Sequence, residues 1–125
     1  MQINLLAAWV GILLGFLSGL ALGLGFHREN WLGGYGSFQR RLYRLAHISL
    51  FGLGAVNLFF YFTARALPAG TVLSLASSAF IAGAITMPVC CLIMAHFPKA
   101  RSLFALPVMS LVSGGVLTLM EVIKL

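Results

Sequence analysis

Four long runs of apolar residues, none interrupted by a formal charge, constrain the fold of this 125-residue chain more than any other feature. The runs cover residues 5–24, 46–64, 71–95 and 103–120. About 20 consecutive apolar residues cross the hydrocarbon core of a bilayer as an α-helix, so the runs predict four transmembrane helices. With 61% hydrophobic and only 8% charged residues, the chain cannot hide its apolar surface in a water-soluble core. We therefore predict an all-α membrane protein, a compact four-helix bundle in a single domain over residues 1–125.

The connectors between the runs refine the helix boundaries. The stretch "GGYGS" interrupts helical structure before the second run, and its Ser37 is suited to cap a helix that begins at Phe38. The second helix is therefore predicted over about 38–64, longer than the bilayer requires. The first run lacks the basic segment of a signal peptide and is longer than the usual apolar region of one, so we expect it to be retained as a helix.

The distribution of basic residues predicts the orientation in the membrane. Six of them lie in the first and third connectors or at the start of helix two, and two lie on the other side: Arg28, Arg40, Arg41, Arg44, Lys99 and Arg101 against Arg65 and Lys124. The positive-inside rule then places both termini on the non-cytoplasmic side. We expect a protein of the bacterial inner membrane in contact with anionic headgroups, which explains the net charge of +6. Without a nucleic-acid-binding motif, no nucleic acid is expected as a partner.

Glycines recur every four residues along the first run, at Gly11, Gly15, Gly19 and Gly23. Small residues at this spacing form one helix face that a second helix can approach to backbone contact. The pattern predicts a glycine zipper that packs on another helix rather than on lipid. That helix belongs to this chain or, alternatively, to another subunit.

Two histidines suggest a cofactor site. His47 begins the apolar part of helix two and His96 ends helix three, on the same predicted side of the membrane. Two neutral imidazoles at similar depth on neighbouring helices can ligate a b-type haem, and Arg40 and Arg44 would then meet its propionates. The alternative is that both are ordinary interfacial histidines and that no cofactor binds.

A second candidate site lies in "MPVCCLIM" on the third helix. Met87, Cys91 and Met94 follow i, i+4, i+7 spacing, with Cys90 beside them. Thioether and thiolate groups suit Cu(I), so the stripe is a candidate copper site. Methionine and cysteine also pack well in apolar helices, which is the alternative interpretation.

The arginines at the start of helix two are predicted to lie at the membrane surface. An unpaired arginine in hydrocarbon is costly, so Arg40, Arg41 and Arg44 should sit in the headgroup layer with Trp31 and Tyr35. There they would bind anionic lipid or acidic groups of a partner. Alternatively, they only fix the topology during insertion.

One polar residue lies deep in an apolar run. Asn57 is near the middle of helix two, where an unpaired amide is unfavourable. We expect it to bond to serine or threonine side chains on helices three and four.

The function predicted from these features is not enzymatic. The chain has no aspartate, only two glutamates and no GxSxG, HExxH or CxxC motif. Its layout is similar to that of small haem- or quinone-associated membrane proteins. We expect a small accessory subunit of a larger membrane assembly, an electron-transfer complex. The alternatives are a haem b protein that uses His47 and His96, and a copper-handling protein.

Overall fold

The computed structural model describes all 125 residues, and its four long α-helices confirm the predicted all-helical class. The helices are α1 (Gln2–Gly25), α2 (Phe38–Arg65), α3 (Thr71–His96) and α4 (Ala105–Val122). Short 3-10 helices occupy Trp31–Gly33 and Pro98–Phe104. Helices α1, α2 and α3 are each long and apolar enough to cross a membrane. The same holds for α4 together with the 3-10 segment before it.

Helix α2 begins where the sequence predicts because Ser37 caps it. The Ser37 hydroxyl oxygen accepts a hydrogen bond from the backbone N–H of Arg40 at 3.1 Å, which satisfies one of the free donors of the first turn. The same hydroxyl donates to the carbonyl of Leu32, so the cap also ties the connector to the helix. The chain therefore enters α2 in a fixed geometry.

Each helix packs chiefly on its neighbours in sequence, α1 on α2, α2 on α3 and α3 on α4. Helices α1 and α3 touch over a short stretch only. A core of buried apolar residues joins α2 to α3, and side chains of α4 pack against it: Phe60, Ala64, Leu67, Leu73, Ala76 and Phe80, with Leu111 and Leu117. The limited α1–α3 contact leaves a groove between these two helices, with α2 as its floor.

The closest approach of α1 and α2 is between two glycines. A Cβ atom on Gly11 would lie 3.0 Å from the carbonyl oxygen of Leu50 and 3.4 Å from the Cα of Gly54. A Cβ on Gly54 would in turn lie 3.0 Å from the carbonyl oxygen of Ala8. Both glycines are therefore needed for contact between the two backbones.

The remaining glycines of the series meet side chains or nothing. A Cβ on Gly15 would come within 2.8 Å of the Phe51 ring, and one on Gly19 within 2.9 Å of the His47 ring. Gly23 has no neighbour within 4 Å. The glycine face of α1 thus packs within this chain over three of its four members.

A buried polar cluster, Asn4, Asn57 and Ser77, joins α1, α2 and α3; we name it the asparagine clamp. Asn4 donates through Nδ2 to Oδ1 of Asn57 at 2.9 Å, and the Ser77 hydroxyl donates to Oδ1 of Asn4. The Asn57 amide nitrogen donates to the backbone carbonyls of Leu53 at 2.9 Å and Phe80 at 3.4 Å. Both asparagines are fully buried, and every side-chain N and O atom in the clamp has a partner.

The clamp corrects the expected partners of Asn57. Its side chain bonds directly to Asn4 of α1, and a serine of α3 is reached only through Asn4. The apolar run predicts a first helix from residue 5, whereas α1 begins at Gln2 and carries Asn4 into the core. A polar residue at the edge of an apolar run was therefore missed.

Candidate functional site

A group of polar and aromatic side chains lies at one end of the molecule, where α1 and α3 end and α2 begins. We name this region the connector end. It contains two hydrogen-bonded histidines, an arginine surrounded by aromatic rings, and a cavity. The first connector (residues 26–37) and the first turns of α2 supply most of these side chains.

Two contacts of Ser18 bear on which nitrogen of the neutral His47 ring carries the hydrogen. Ser18 Oγ lies 2.8 Å from Nδ1 of His47 and 3.0 Å from the carbonyl oxygen of Gly15. Because a serine has a single hydroxyl hydrogen and a carbonyl can only accept, that hydrogen is donated to Gly15. His47 Nδ1 therefore carries the hydrogen and donates to Ser18. In the neutral ring, Nε2 is left with a free lone pair.

His96 is held by two residues of α2. Its Nε2 lies 2.9 Å from the Tyr43 hydroxyl, and its Nδ1 lies 3.2 Å from Nε2 of Gln39. Since the Gln39 amide donates to Nδ1, Nε2 carries the hydrogen and donates to the Tyr43 oxygen. The O–H of Tyr43 is then available to another acceptor. The His96 side chain itself is exposed.

The two predicted haem ligands lie at the same end of the helices but bond to different helices. His47 packs on α1, whereas His96 has both ring nitrogens engaged by α2. His47 lines the cavity of the connector end, and His96 does not. A haem between them would require His96 to give up one of its two hydrogen bonds.

The groove between α1 and α3 is the largest concave surface of the protein, at about 740 Å³. It extends along α1 from Ile3 to Ser18, about 22 Å at about 1.5 Å per residue. Its walls are almost entirely apolar, with Ala84 and Ile85 on α3 and Gly54 on the floor. Its size falls within the usual range of small-molecule sites.

A smaller cavity of about 250 Å³ adjoins the groove at the connector end, and the two share Ser18, Leu50, Pro88 and Leu92 in their walls. We name it the inner cavity. The residues that it adds include Trp31, Tyr43 and His47. The apolar groove therefore adjoins a cavity whose lining residues include two with hydrogen-bonding groups, Tyr43 and His47.

Arg40 is not exposed to headgroups or to a partner as the sequence predicts, so that expectation is wrong; its depth in the membrane stays a prediction. Its side chain is fully buried. The guanidinium carbon lies 3.9 Å from the centre of the Tyr35 ring, 4.7 Å from that of Phe26 and 5.7 Å from that of Trp31. We name these three rings the aromatic cage. They replace water around the charge through cation–π contacts.

The cage forms because the connector turns back over α2. Leu32, Gly33 and Gly34 all have positive φ angles, which reverse the chain between Trp31 and Tyr35. A Cβ on Gly25 would lie 2.6 Å from the Trp31 ring, so this glycine lets the indole rest on the end of α1. The ring of Tyr35 stacks parallel to that of Phe26, with centres 6.2 Å apart.

The other predicted cationic contacts differ from Arg40. Arg41, Lys99 and Arg101 are exposed, and Arg44 is half-buried. These side chains remain available to headgroups or to a partner. Arg40 is therefore the only one of these basic side chains that is fully buried.

The candidate copper residues lie in a packed part of α3. Cys90 and Cys91 are buried free thiols, while Met87 and Met94 are half-buried. The Cys90 thiol is 3.5 Å from the carbonyl oxygen of Leu103, to which it donates. This contact joins α3 to the 3-10 segment before α4.

Several residues of this site were not singled out by sequence reasoning. Ser18 and Tyr43 carried a signal, since one adjoins Gly19 and the other lies one turn before His47 on the same helix face. Phe26 carried none. Comparisons with family models, curated proteins and solved structures give no match.

Proposed function

We propose that the protein is a small integral subunit of a larger electron-transfer assembly, in which the α1–α3 groove holds an amphipathic ligand of the isoprenoid quinone class. The connector end lies on the cytoplasmic side of a bacterial inner membrane, and both termini lie on the opposite side. The six basic residues near the connector end support this orientation.

The observation that carries the proposal is the groove that leads into the inner cavity. Its length of about 22 Å exceeds half of the roughly 30 Å hydrocarbon core. An acyl chain of a lipid remains within one leaflet, about half of that core. An apolar groove that continues past the midplane fits a longer tail, as in an isoprenoid quinone.

The hydrogen-bonding groups of the inner cavity suit a quinone ring. Quinone carbonyls accept hydrogen bonds, and quinol hydroxyls donate them. Tyr43 and His47 both line the inner cavity, whose wall is otherwise mostly apolar, so a ring bound there would turn the Tyr43 O–H donor and the His47 Nε2 acceptor toward itself. One donor and one acceptor beside the same cavity can bind either redox state of the ring.

The subunit role is supported by the outer surface of α1. Large apolar side chains project from it, among them Trp9, Phe16 and Leu20, each at least 60% exposed. Only 17% of the 18-residue apolar stretch of α1 is buried within the chain. The helix can therefore contact lipid and a neighbouring subunit while the groove remains open from the side.

The test is purification from the native membrane in mild detergent, followed by native gel electrophoresis and solvent extraction of bound lipids. We expect comigration with larger subunits and a quinone in the extract. In Ala84→Phe the new ring fills the groove and the quinone is lost. The matched control is Ala82→Phe, because Ala82 is exposed, lies outside the groove and should leave the quinone content unchanged.

Three outcomes contradict the proposal. Migration of the chain alone would refute the subunit role. Equal quinone content in Ala84→Phe and Ala82→Phe would exclude the groove as the binding site. A Soret band that disappears in His47→Ala would show that the bound cofactor is a haem and not a quinone.

A further inference from the structure

Arg40 is the one residue whose buried side-chain polar atoms lack a hydrogen-bond partner. Its Nε, Nη1 and Nη2 atoms are all buried, and none of the three has an acceptor. A guanidinium stays protonated in proteins and carries five N–H donors. Buried charges are normally paired with an opposite charge or hydrogen-bonded.

No carboxylate in the chain neutralises this charge. Glu29 is exposed and makes no ion pair, although it lies in the same connector. Glu121 is paired with Lys124 near the end of the chain. The cation–π contacts stabilise the positive charge but satisfy none of its N–H groups. The guanidinium of Arg40 therefore has no anionic acceptor, and no residue of the protein supplies one.

The segment that buries Arg40 is a connector outside the long helices, tied to α2 at Leu32 by the Ser37 hydroxyl. Three successive positive φ angles occur in it, one of them at a non-glycine residue, Leu32. Tyr35, the ring nearest the guanidinium, is 60% exposed, and a side chain added at Gly36 would meet nothing within 4 Å. Displacement of Tyr35 would thus uncover the guanidinium without disturbing the helix core.

We propose that Arg40 anchors a binding site for a single phosphate group, and that residues 26–36 form a cover over it. In the closed state, which the structure shows, the aromatic cage takes the place of the anion. In the open state, the cover moves aside and the guanidinium donates two parallel hydrogen bonds to phosphate oxygens. The inference goes beyond the quinone proposal and does not depend on it.

The surroundings favour the phosphate of a membrane lipid. Arg41 and Arg44 lie within one turn of Arg40, and the positive end of the α2 dipole adds to their charge. Trp31 and Tyr35 are residue types that prefer the headgroup layer. An anionic phospholipid in that layer brings its phosphodiester to the cover from the bilayer side.

The test uses the full chain in phosphate-free dodecylmaltoside, with native mass spectrometry and thermal unfolding as readouts. The probes are phosphatidylglycerol, diacylglycerol without phosphate, and inorganic phosphate alone. We expect phosphatidylglycerol to bind and to raise the melting temperature, and diacylglycerol to do neither. Arg40→Gln should weaken phosphatidylglycerol binding about tenfold or more, as expected for lost hydrogen bonds to a charged group. Arg65→Gln, an exposed arginine at the other end of α2, is the matched control and should remain within a few-fold of the wild type.

A second variant tests the cover and does not alter the core. Tyr35→Leu removes the cation–π contact that competes with the anion, so binding should become about threefold to tenfold tighter. Unchanged binding in Arg40→Gln would overturn the site, and weaker binding in Tyr35→Leu would overturn the cover. An equal, Arg40-dependent response to inorganic phosphate would support the site and assign it to a free anion instead of a lipid.

Discussion

The asparagine clamp and Arg40 are both buried polar groups along α2, with Arg40 in its first turn and Asn57 in its second half, yet their hydrogen bonding is opposite. In the clamp, Asn4 and Asn57 exchange hydrogen bonds with each other, with Ser77 and with backbone carbonyls. At the connector end, Arg40 has three buried nitrogen atoms and no acceptor. A satisfied polar cluster fixes the relative positions of helices, whereas an unsatisfied buried charge requires an explanation, which we propose is a missing anion.

The contacts between α1 and α2 also differ between the clamp and the connector end. Beside the clamp, Gly11 and Gly54 bring two backbones together, and a backbone cannot move aside. Toward the connector end, Gly15 and Gly19 face the rings of Phe51 and His47. Rings can change rotamer, so this end can adapt to a ligand while the clamp end remains rigid.

The largest expected effect is at the rigid end. Gly54→Val places a Cβ against the carbonyl oxygen of Ala8 and should lower the free energy of unfolding by about 3 kcal/mol. The measurement is unfolding in detergent, monitored by circular dichroism. The matched control is Gly52→Val, because nothing lies within 4 Å of a Cβ there and no loss is expected. Similar losses in both variants would refute a backbone contact at Gly54.

A smaller loss is expected from the clamp itself. Asn57→Ala removes the acceptor of the Asn4 amide and should lower the free energy of unfolding by about 1–2 kcal/mol. Thr63→Ala, in the same helix, removes a hydroxyl that bonds only to its own helix at Phe59, and should change stability little. A null effect of Asn57→Ala, measured in the same unfolding assay, would mean that the clamp does not stabilise the helix arrangement.

The smallest effect, and the sharpest contrast, is expected at Arg40. Arg40→Met removes a buried charge that has no anionic partner, together with its cation–π contacts, and fills the cage with an apolar side chain. The two changes oppose each other, so in phosphate-free detergent stability should stay within about 1 kcal/mol of the wild type. Arg41→Met is the control for loss of a surface charge. A large loss in Arg40→Met alone would make the cage a structural element equivalent to the clamp.

The four membrane-length helices could be predicted from the sequence because hydropathy and length decide them locally. The Ser37 cap was predictable for the same reason, since it depends on neighbouring residues only. The burial of Arg40 was not predictable. It depends on a connector that reverses at Leu32 and returns Phe26 and Tyr35 to the helix, which no periodic pattern encodes. A hydropathy scale records the charge of an arginine but not the rings that the fold brings around it.

The candidate site was predictable only in its ingredients. The sequence placed His47 and His96 on one side of the membrane, but not their partners. Ser18 reaches His47 across the α1–α2 contact, and Tyr43 reaches His96 across the α2–α3 contact. Which residues meet there depends on how each helix is rotated about its axis. The groove likewise follows from the limited contact of α1 with α3, a property of three helices together that no single run contains.

The packing of each helix on its predecessor in sequence bears on how the protein is made. As the chain leaves the ribosome, α2 can associate with α1 before α3 has been synthesised, and α4 finds α3 already inserted. Ser77 of α3 is the last member of the asparagine clamp to emerge. Until then, the amides of Asn4 and Asn57 have one another as partners, which protects the half-finished hairpin from two unpaired amides in lipid. We therefore expect the helices to assemble in the order in which they are synthesised.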